Sequence, residues 1–223
     1  MSQAREIPPK RIADLGRRVE LVPMDAHGQS ITVGLYERAG AEGRPEYLVH
    51  TYSDRPGAHE RIEFVRGAMK ALGGMEDAPG GSGRLRFACG QPHRLACKRV
   101  FLEACKLPTQ PRVEPRPLCT QDRKSGRTIE VVGLGQGEYR VASDGAEEGK
   151  AGRLAETAGG LSKLAELHAL GDPAERIAFP CGQAHDALVG LLLPRALNVR
   201  AALRELELAA ARGILVAPSA QKS

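Results

Sequence analysis

A thiol and an imidazole occur four residues apart at two places in the chain, each time within the pattern F-x-C-G-Q-x-H. The two copies of this motif span 87–93 and 179–185. A cysteine and a histidine at this spacing can act as nucleophile and base, or as two ligands of one ion. The glycine and glutamine between them would let the backbone approach a bound anion. The candidate ligand-binding residues are therefore Cys89, Gly90, Gln91, His93, Cys181, Gly182, Gln183 and His185.

The same residue types also suit a purely structural turn. Cysteine is among the most frequently buried residues, glycine can serve a tight turn and glutamine can cap a helix. If the two copies met in space, two thiolates and two imidazoles would form a tetrahedral zinc site. Zinc motifs, however, usually place paired cysteines about two to four residues apart. The spacing alone therefore assigns no metal, no cofactor and no catalytic residue.

The motif belongs to a longer internal similarity at a displacement of 92 residues. The matched pairs outside the motif are Glu46 and Glu138, Tyr47 and Tyr139, Val49 and Val141, Arg61 and Arg153, Gly67 and Gly159, Leu72 and Leu164, and Arg84 and Arg176. Separate blocks that agree on one displacement indicate a duplicated unit. We expect the two copies to pack about a pseudo-twofold axis, as in a covalently linked homodimer.

The spacing of apolar residues predicts β-β-β-α-β-α in each copy, an α+β fold. In the first copy it predicts strands at 19–24, 30–37, 46–52 and 84–89, and helices at 58–72 and 92–107. In the second it predicts strands near 128–132, 138–142 and 176–181, and helices from about 150 to 170 and from 184. The helical crossover between the third and fourth strands predicts that they are parallel if they are adjacent, in a mixed sheet with helices on one face.

These elements place each cysteine at the carboxyl end of a strand, with glutamine at the N-cap and histidine in the first turn of the next helix. Four prolines between 107 and 117 predict an extended connector. The expected division is a first repeat at 1–107, a linker at 108–117 and a second repeat at 118–223. After a kink at Pro194, strong helix formers predict that the last helix continues to Arg212, with an edge strand at 213–216.

Composition narrows the function classes. The 223 residues are 42% hydrophobic with a net charge of +5, and they include no Trp, four Tyr and four Phe. The excess of basic residues is small and aromatic rings are few, so the sequence argues against nucleic-acid binding. The longest apolar run, 187–193, is too short to cross a bilayer, so no membrane is expected. An odd number of cysteines and an amino terminus unlike a secretion signal favour reduced thiols in the cytoplasm.

Three functional hypotheses follow. The first is a non-catalytic module that binds a small molecule or a protein partner through the paired motifs or the surface between the repeats. The second is an enzyme that uses one Cys/His pair for thiol or metal-assisted chemistry. The third and least favoured is binding to a nucleic-acid backbone. A homo-oligomer is possible, and the paired arginines can bind an anion, although arginines at such positions more often pair with local acids.

Overall fold

The computed structural model describes residues 15–26, 28–40, 43–79, 83–108, 113–123, 126–144, 150–171 and 175–198. The first repeat contains β1 (Arg17–Ala26), β2 (Gln29–Ala39), β3 (Pro45–Thr51), α1 (Ala58–Gly73), β4 (Met75–Asp77), β5 (Arg84–Phe87) and α2 (Arg94–Lys106). The second contains β6 (Cys119–Gln121), β7 (Thr128–Gly135), β8 (Glu138–Ser143), α3 (Lys150–Ala165), β9 (His168–Leu170), β10 (Arg176–Ala178) and α4 (Asp186–Ala196). The fold is α+β, as predicted, and the two units share one order of elements.

Each repeat forms a five-stranded sheet, with strand orders β1-β2-β3-β5-β4 and β6-β7-β8-β10-β9. All pairings between the described strands are antiparallel. The predicted parallel pairing of the third and fourth strands in a mixed sheet is therefore wrong. The reason is β4, a strand of three residues that the sequence analysis missed. Helix α1 returns the chain to β4 at the sheet edge, and a hairpin then places β5 between β4 and β3.

Helix α1 shows how local sequence produces this packing. Its buried positions include Arg61, Val65, Ala68, Met69 and Leu72, which follow the three- and four-residue spacing of one helix face. The helix ends at Gly74, whose φ of 61° lies in the left-handed region that favours glycine at a helix terminus.

The helices of the two repeats pack against each other. Helix α1 contacts α4, and α2 contacts both α3 and α4. Side chains from both repeats, among them Val65, Phe101, Leu161 and Leu191, belong to one buried cluster. The two repeats therefore share a hydrophobic core between their sheets, and their stability depends on staying together.

Two pairs of matched arginines each make one equivalent contact in both repeats. Arg61 Nη2 donates to the carbonyl of Cys105, and Arg153 Nη2 donates to the carbonyl of Leu197, so each guanidinium binds the carboxyl end of the second helix of its repeat. Arg84 pairs with Glu46, and Arg176 pairs with Glu138. These arginines have partners within the fold, and the agreement between the repeats is what an internal duplication predicts.

The connector between the repeats passes close to α4. A Cβ atom on Gly190 would lie 2.2 Å from the carbonyl oxygen of Arg116, so this close approach requires glycine. Helix α4 runs through Pro194 to Ala196, and the predicted continuation beyond 198 and the edge strand at 213–216 lie outside the described residues. Within the described part of the chain, no helix has the length and apolarity needed to cross a membrane.

Candidate metal centre

Each motif begins with a tight turn that immediately follows a short strand. The amide of Gly90 donates to the carbonyl of Phe87 over 2.9 Å, and the amide of Gly182 donates to the carbonyl of Phe179 over 3.0 Å. Both glycines have a positive φ, 73° and 68°, a conformation that is strained for other residues. The glycine of the motif thus sets the turn that presents each cysteine.

The histidines, and not the glutamines, occupy the N-cap positions of the two helices. Helices α2 and α4 begin at Arg94 and Asp186, directly after His93 and His185. Gln91 and Gln183 lie exposed in the turns, and neither helix has a side-chain hydrogen bond at its cap. The predicted placement of glutamine at the cap and histidine in the first helical turn is therefore wrong by one to two positions.

Within each motif the thiol and the imidazole are in contact. The distance from Cys89 Sγ to His93 Nε2 is 3.2 Å, and the distance from Cys181 Sγ to His185 Nε2 is also 3.2 Å. His93 achieves this with φ 40° and ψ 51°, a left-handed conformation uncommon for a residue with a Cβ, whereas His185 has φ −132°. A strained backbone at such a position is typical of functional sites.

The two motifs meet where the repeats join. The ligand atoms of Cys89, His93, Cys181 and His185 all lie within 4.8 Å of one another. The imidazoles are buried, 4% and 8% exposed, whereas both cysteines are half-buried. The cluster therefore opens to solvent on the side of its sulfur atoms.

Two phenylalanines hold the imidazoles in place. The Phe87 ring lies 5.1 Å from the ring of His93 and 5.9 Å from that of His185. The Phe179 ring lies 4.6 Å from His185 and 5.6 Å from His93, and the two imidazoles are 4.8 Å apart. Each ring thus contacts the histidine of its own repeat and that of the other, and these reciprocal contacts are those of an approximate twofold arrangement.

Two matched tyrosines brace the backbone beside the histidines. The Tyr47 hydroxyl donates to the carbonyl of Pro92. The Tyr139 hydroxyl accepts the amide of His185 over 2.7 Å and donates to Asp186 Oδ1 over 2.8 Å. Both tyrosines are buried. These contacts position the ligands from behind, as outer partners commonly do in metal sites.

The electrostatic surroundings favour neutral side chains when no ion is present. Burial lowers the pKa of His93 to about 4, and the nearby His185 adds to the effect. Burial also lowers the pKa of His185 and raises that of the Cys89 thiol, which the neighbouring Cys181 raises further. A catalytic cysteine and a zinc-bound cysteine are both thiolates, so the raised pKa of Cys89 does not distinguish the two roles. Neutral imidazole is the form of histidine that binds metals.

The geometry fits one tetrahedral ion. With Zn–S near 2.3 Å and Zn–N near 2.0 Å, neighbouring donor atoms of a tetrahedral site lie about 3.3 to 3.8 Å apart. The Cys–His separations of 3.2 Å and the overall limit of 4.8 Å lie close to that range. Shifts of less than about 1 Å would therefore place all four donors around one ion.

The structure separates the candidate residues into two groups. Four supply donor atoms to the cluster, whereas Gly90, Gly182, Gln91 and Gln183 form the turns around it. Of the other cysteines, Cys97 and Cys105 are buried in the core and Cys119 is exposed on β6. Sequence reasoning did not single out Tyr47 and Tyr139, although their match at the 92-residue displacement was a signal for them.

No protein-family model, curated protein or solved structure matches the chain. Its function is therefore inferred from the geometry of the site.

Proposed function

We propose that this protein binds one zinc ion between its two repeats, with Cys89 and His93 as ligands from the first and Cys181 and His185 from the second. The observation that supports the proposal is the set of four donor atoms within 4.8 Å. A tetrahedral set of two sulfurs and two nitrogens is the coordination that zinc prefers in proteins. The proposed ligand of the paired motifs is thus a metal ion, whereas the sequence led us to expect a small molecule or a protein partner.

The role of this ion is structural. Four protein ligands fill a tetrahedral site, whereas catalytic zinc sites keep one position for water or substrate. Because each repeat supplies half of the ligands, the bound ion links the repeats at the centre of their contact. Binding energy then adds to the stability of the shared core, as in other structural zinc sites. Two cysteines that must stay reduced also fit the expected cytoplasmic location.

A single ion fits better than an iron–sulfur cluster. In a two-iron cluster with mixed ligands, the cysteine pair binds one iron and the histidine pair binds the other. Here each cysteine sulfur lies 3.2 Å from a histidine nitrogen, and all four donor atoms lie within 4.8 Å of one another, a spacing that suits ligands of the same ion. This arrangement favours one mononuclear ion.

Metal content of the purified chain tests the proposal. Protein expressed with zinc supplementation, then dialysed, is expected to retain about one zinc per chain, measured by mass spectrometry of the metal. Replacement of zinc by cobalt should give the absorption of a tetrahedral thiolate site. Cys89→Ser with Cys181→Ser should abolish stoichiometric binding, because both sulfur ligands are lost.

Cys119→Ser and His168→Asn serve as matched controls, since Cys119 and His168 are exposed and lie outside the cluster. Both controls should keep full zinc content. Circular dichroism on each variant separates loss of ligands from loss of fold. Unchanged zinc content in a folded Cys89→Ser/Cys181→Ser variant would show that the proposed site is wrong, as would a folded wild type that retains no zinc.

A further inference from the structure

A groove lies on the outer face of the first sheet, far from the zinc ligands in sequence and opposite the helices. Its cavity volume is about 780 Å³. Alternation along β2 explains its position: Ile31, Val33 and Leu35 point into the shared core, so Gly34 and Tyr36 lie on the other face. The volume is within the range of about 300 to 1,000 Å³ typical of small-molecule sites.

The groove is cationic. Arg18 and Arg55 line it, both exposed, together with serine and threonine side chains. Among the described residues that line the groove, none is Asp or Glu. A site with two guanidinium groups, several hydroxyls and no carboxylate favours an anionic group such as a phosphate.

The groove also presents aromatic rings. Tyr52 is 54% exposed, and the His50 ring packs edge-on against it with centroids 4.9 Å apart. Burial raises the pKa of the Tyr36 hydroxyl, and the neighbouring Tyr52 raises it further. An exposed ring held by its neighbours offers a face on which a planar heterocycle can stack at little entropic cost.

A glycine makes room for this arrangement. Gly34 lies opposite His50 in the antiparallel register, and a Cβ atom at 34 would lie 2.5 Å from the Tyr36 ring. The absent side chain lets Tyr36 lean across the strand and keeps the floor of the groove open.

The corresponding face of the second sheet lacks all of these features. In its register Glu130 lies opposite Ala142, at the pair equivalent to Gly34 and His50. Val132 pairs with Arg140 where Tyr36 pairs with Leu48, and Asp144 stands at the 92-residue match of Tyr52. The second face therefore carries exposed carboxylates at the positions of Gly34 and Tyr52, and alanine at the position of His50. Since the two sheets share one strand order, the groove is a property of these side chains and not of the fold.

We propose that this groove binds a nucleotide unit, with the base stacked on Tyr52 and the phosphate held by Arg18 and Arg55. The unit can be a free nucleotide or part of a single strand, because both present the same base and phosphate. This site is independent of the proposed zinc site. It differs from the expectation drawn from composition, because Tyr36, Tyr52 and His50 line one groove although the chain has only four Tyr and four Phe residues.

Titration calorimetry with the zinc-loaded full chain tests the proposal. The probes are adenosine monophosphate, adenosine and an eight-nucleotide single-stranded oligoadenylate. Adenosine monophosphate should bind at least about tenfold more tightly than adenosine, since only the former engages the arginines. Tyr52→Asp, which introduces the residue of the second sheet, should weaken binding by about tenfold or more through loss of stacking. Arg55→Ala should weaken the monophosphate but not adenosine.

Asp144→Ala and Glu130→Ala are matched controls on the second sheet and should leave affinity unchanged. Because Tyr52 and Arg55 are exposed, these variants should fold, and circular dichroism confirms it. A tighter oligonucleotide complex supports a single strand as the ligand, and equal or weaker binding supports a free nucleotide. No binding of any probe at millimolar concentration overturns the proposal, as does affinity that Tyr52→Asp leaves unchanged. The Cys89→Ser/Cys181→Ser variant should bind the nucleotide normally, which separates this test from that of the zinc site.

Discussion

The two repeats are alike where they meet and different where they face solvent. At their contact, both carry the same turn, the same phenylalanine and the same Cys/His pair, with identical Sγ to Nε2 distances of 3.2 Å. On the outer faces of the sheets the residues differ at equivalent positions. The first repeat has Tyr36, His50 and Tyr52 where the second has Val132, Ala142 and Asp144. Shared residues thus mark a joint site that needs both halves, whereas differing residues mark surfaces that each half can use alone.

A smaller difference lies beside the joint site. Gly74 and Glu166 both follow the first helix of their repeat, α1 or α3. Both residues have a positive φ, 61° and 58°. Gly74 faces Ala187 near the start of α4, whereas burial raises the pKa of the Glu166 carboxyl group and the backbone amide of Leu95, at the start of α2, opposes the rise. A carboxylate at a helix amino terminus is favourable, and here it comes from the opposite repeat. The approximate twofold arrangement is therefore broken by the approach of Glu166 to the first turn of α2 in the opposite repeat.

Removal of zinc should give the largest effect. An ion that binds only the folded chain stabilises it by about 4 kcal/mol when free metal is about 1,000 times its dissociation constant. For a chain of this size that corresponds to a loss of about 10 °C in Tm on chelation, measured by calorimetry. Cys89→Ser and Cys181→Ser should lower Tm equally if the two turns contribute alike. A large difference between the two Tm losses would show that the two turns do not contribute alike. An unchanged Tm when chelator is added to the wild type would contradict the role of zinc in joining the repeats.

The matched arginines should differ in their contribution to stability. Arg153 binds the buried Asp122 through Nε and Nη2, both at 2.8 Å, besides its carbonyl partner. Arg61 binds two carbonyls, and its Nε and Nη1 have no hydrogen-bond partner among the described residues. Arg153→Met should therefore cost about 3 to 5 kcal/mol, because it removes the guanidinium that donates two hydrogen bonds to a buried carboxylate. Arg61→Met should cost less in the same denaturant titration.

The double variant Arg153→Met/Asp122→Asn serves as the control for this prediction. It should recover part of the lost free energy of unfolding, since the buried charge is removed with its partner. Equal costs for the two single variants would show that Asp122 does not account for the difference between the repeats.

The matched tyrosines, Tyr47 and Tyr139, should differ less in their contribution to stability than the matched arginines do. Tyr139→Phe removes the acceptor of the His185 amide and the donor to Asp186, so it should cost about 1 to 3 kcal/mol. Tyr47→Phe removes one hydroxyl donor shared between the Pro92 carbonyl and Glu37 Oε2, and it should cost about 1 kcal/mol because Glu37 keeps its ion pair with Arg94. Because Tyr139 positions a ligand, its variant should also weaken zinc binding by about tenfold, measured by competition with a chelator of known affinity. A larger effect on zinc from Tyr47→Phe would reverse this ranking of the two turns.

The sequence was informative wherever a signal was local. The apolar spacing of 58–72 predicted α1 almost to the residue, and Gly90 and Gly182 lie in the predicted turns. The duplicated pairs such as Arg84 and Arg176 also make equivalent contacts. Each of these features depends on neighbours within one repeat, so its pattern can be read along the chain.

Features that depend on distant segments could not be predicted in this way. Strands β4 and β9 have three residues each, too few to show a period, and missing them led to the wrong strand direction. The meeting of Cys89 with Cys181 depends on how α1 and α2 pack against α3 and α4, for which the motif carries no local signal. A zinc site divided between two turns therefore lacks the close cysteine spacing by which such sites are recognised.

Glu166 should give the smallest effect and tests the break in symmetry. Burial raises the pKa of its carboxyl group, while the Leu95 amide and Arg94 oppose the rise. A carboxyl group whose pKa is higher in the folded chain than in the unfolded chain binds more protons when folded, so the protein loses stability as pH rises above the ordinary glutamate pKa.

Glu166→Gln keeps an acceptor near the Leu95 amide without the charge, so it should stabilise the protein by less than about 1 kcal/mol at pH 7. The difference from wild type should shrink toward pH 5 in urea titrations, whereas Glu130→Gln, at an exposed site, controls for the charge change alone. A variant that is less stable than wild type at pH 7 would mean that the charge of Glu166 is required to cap α2, and that the cross-repeat contact is electrostatic.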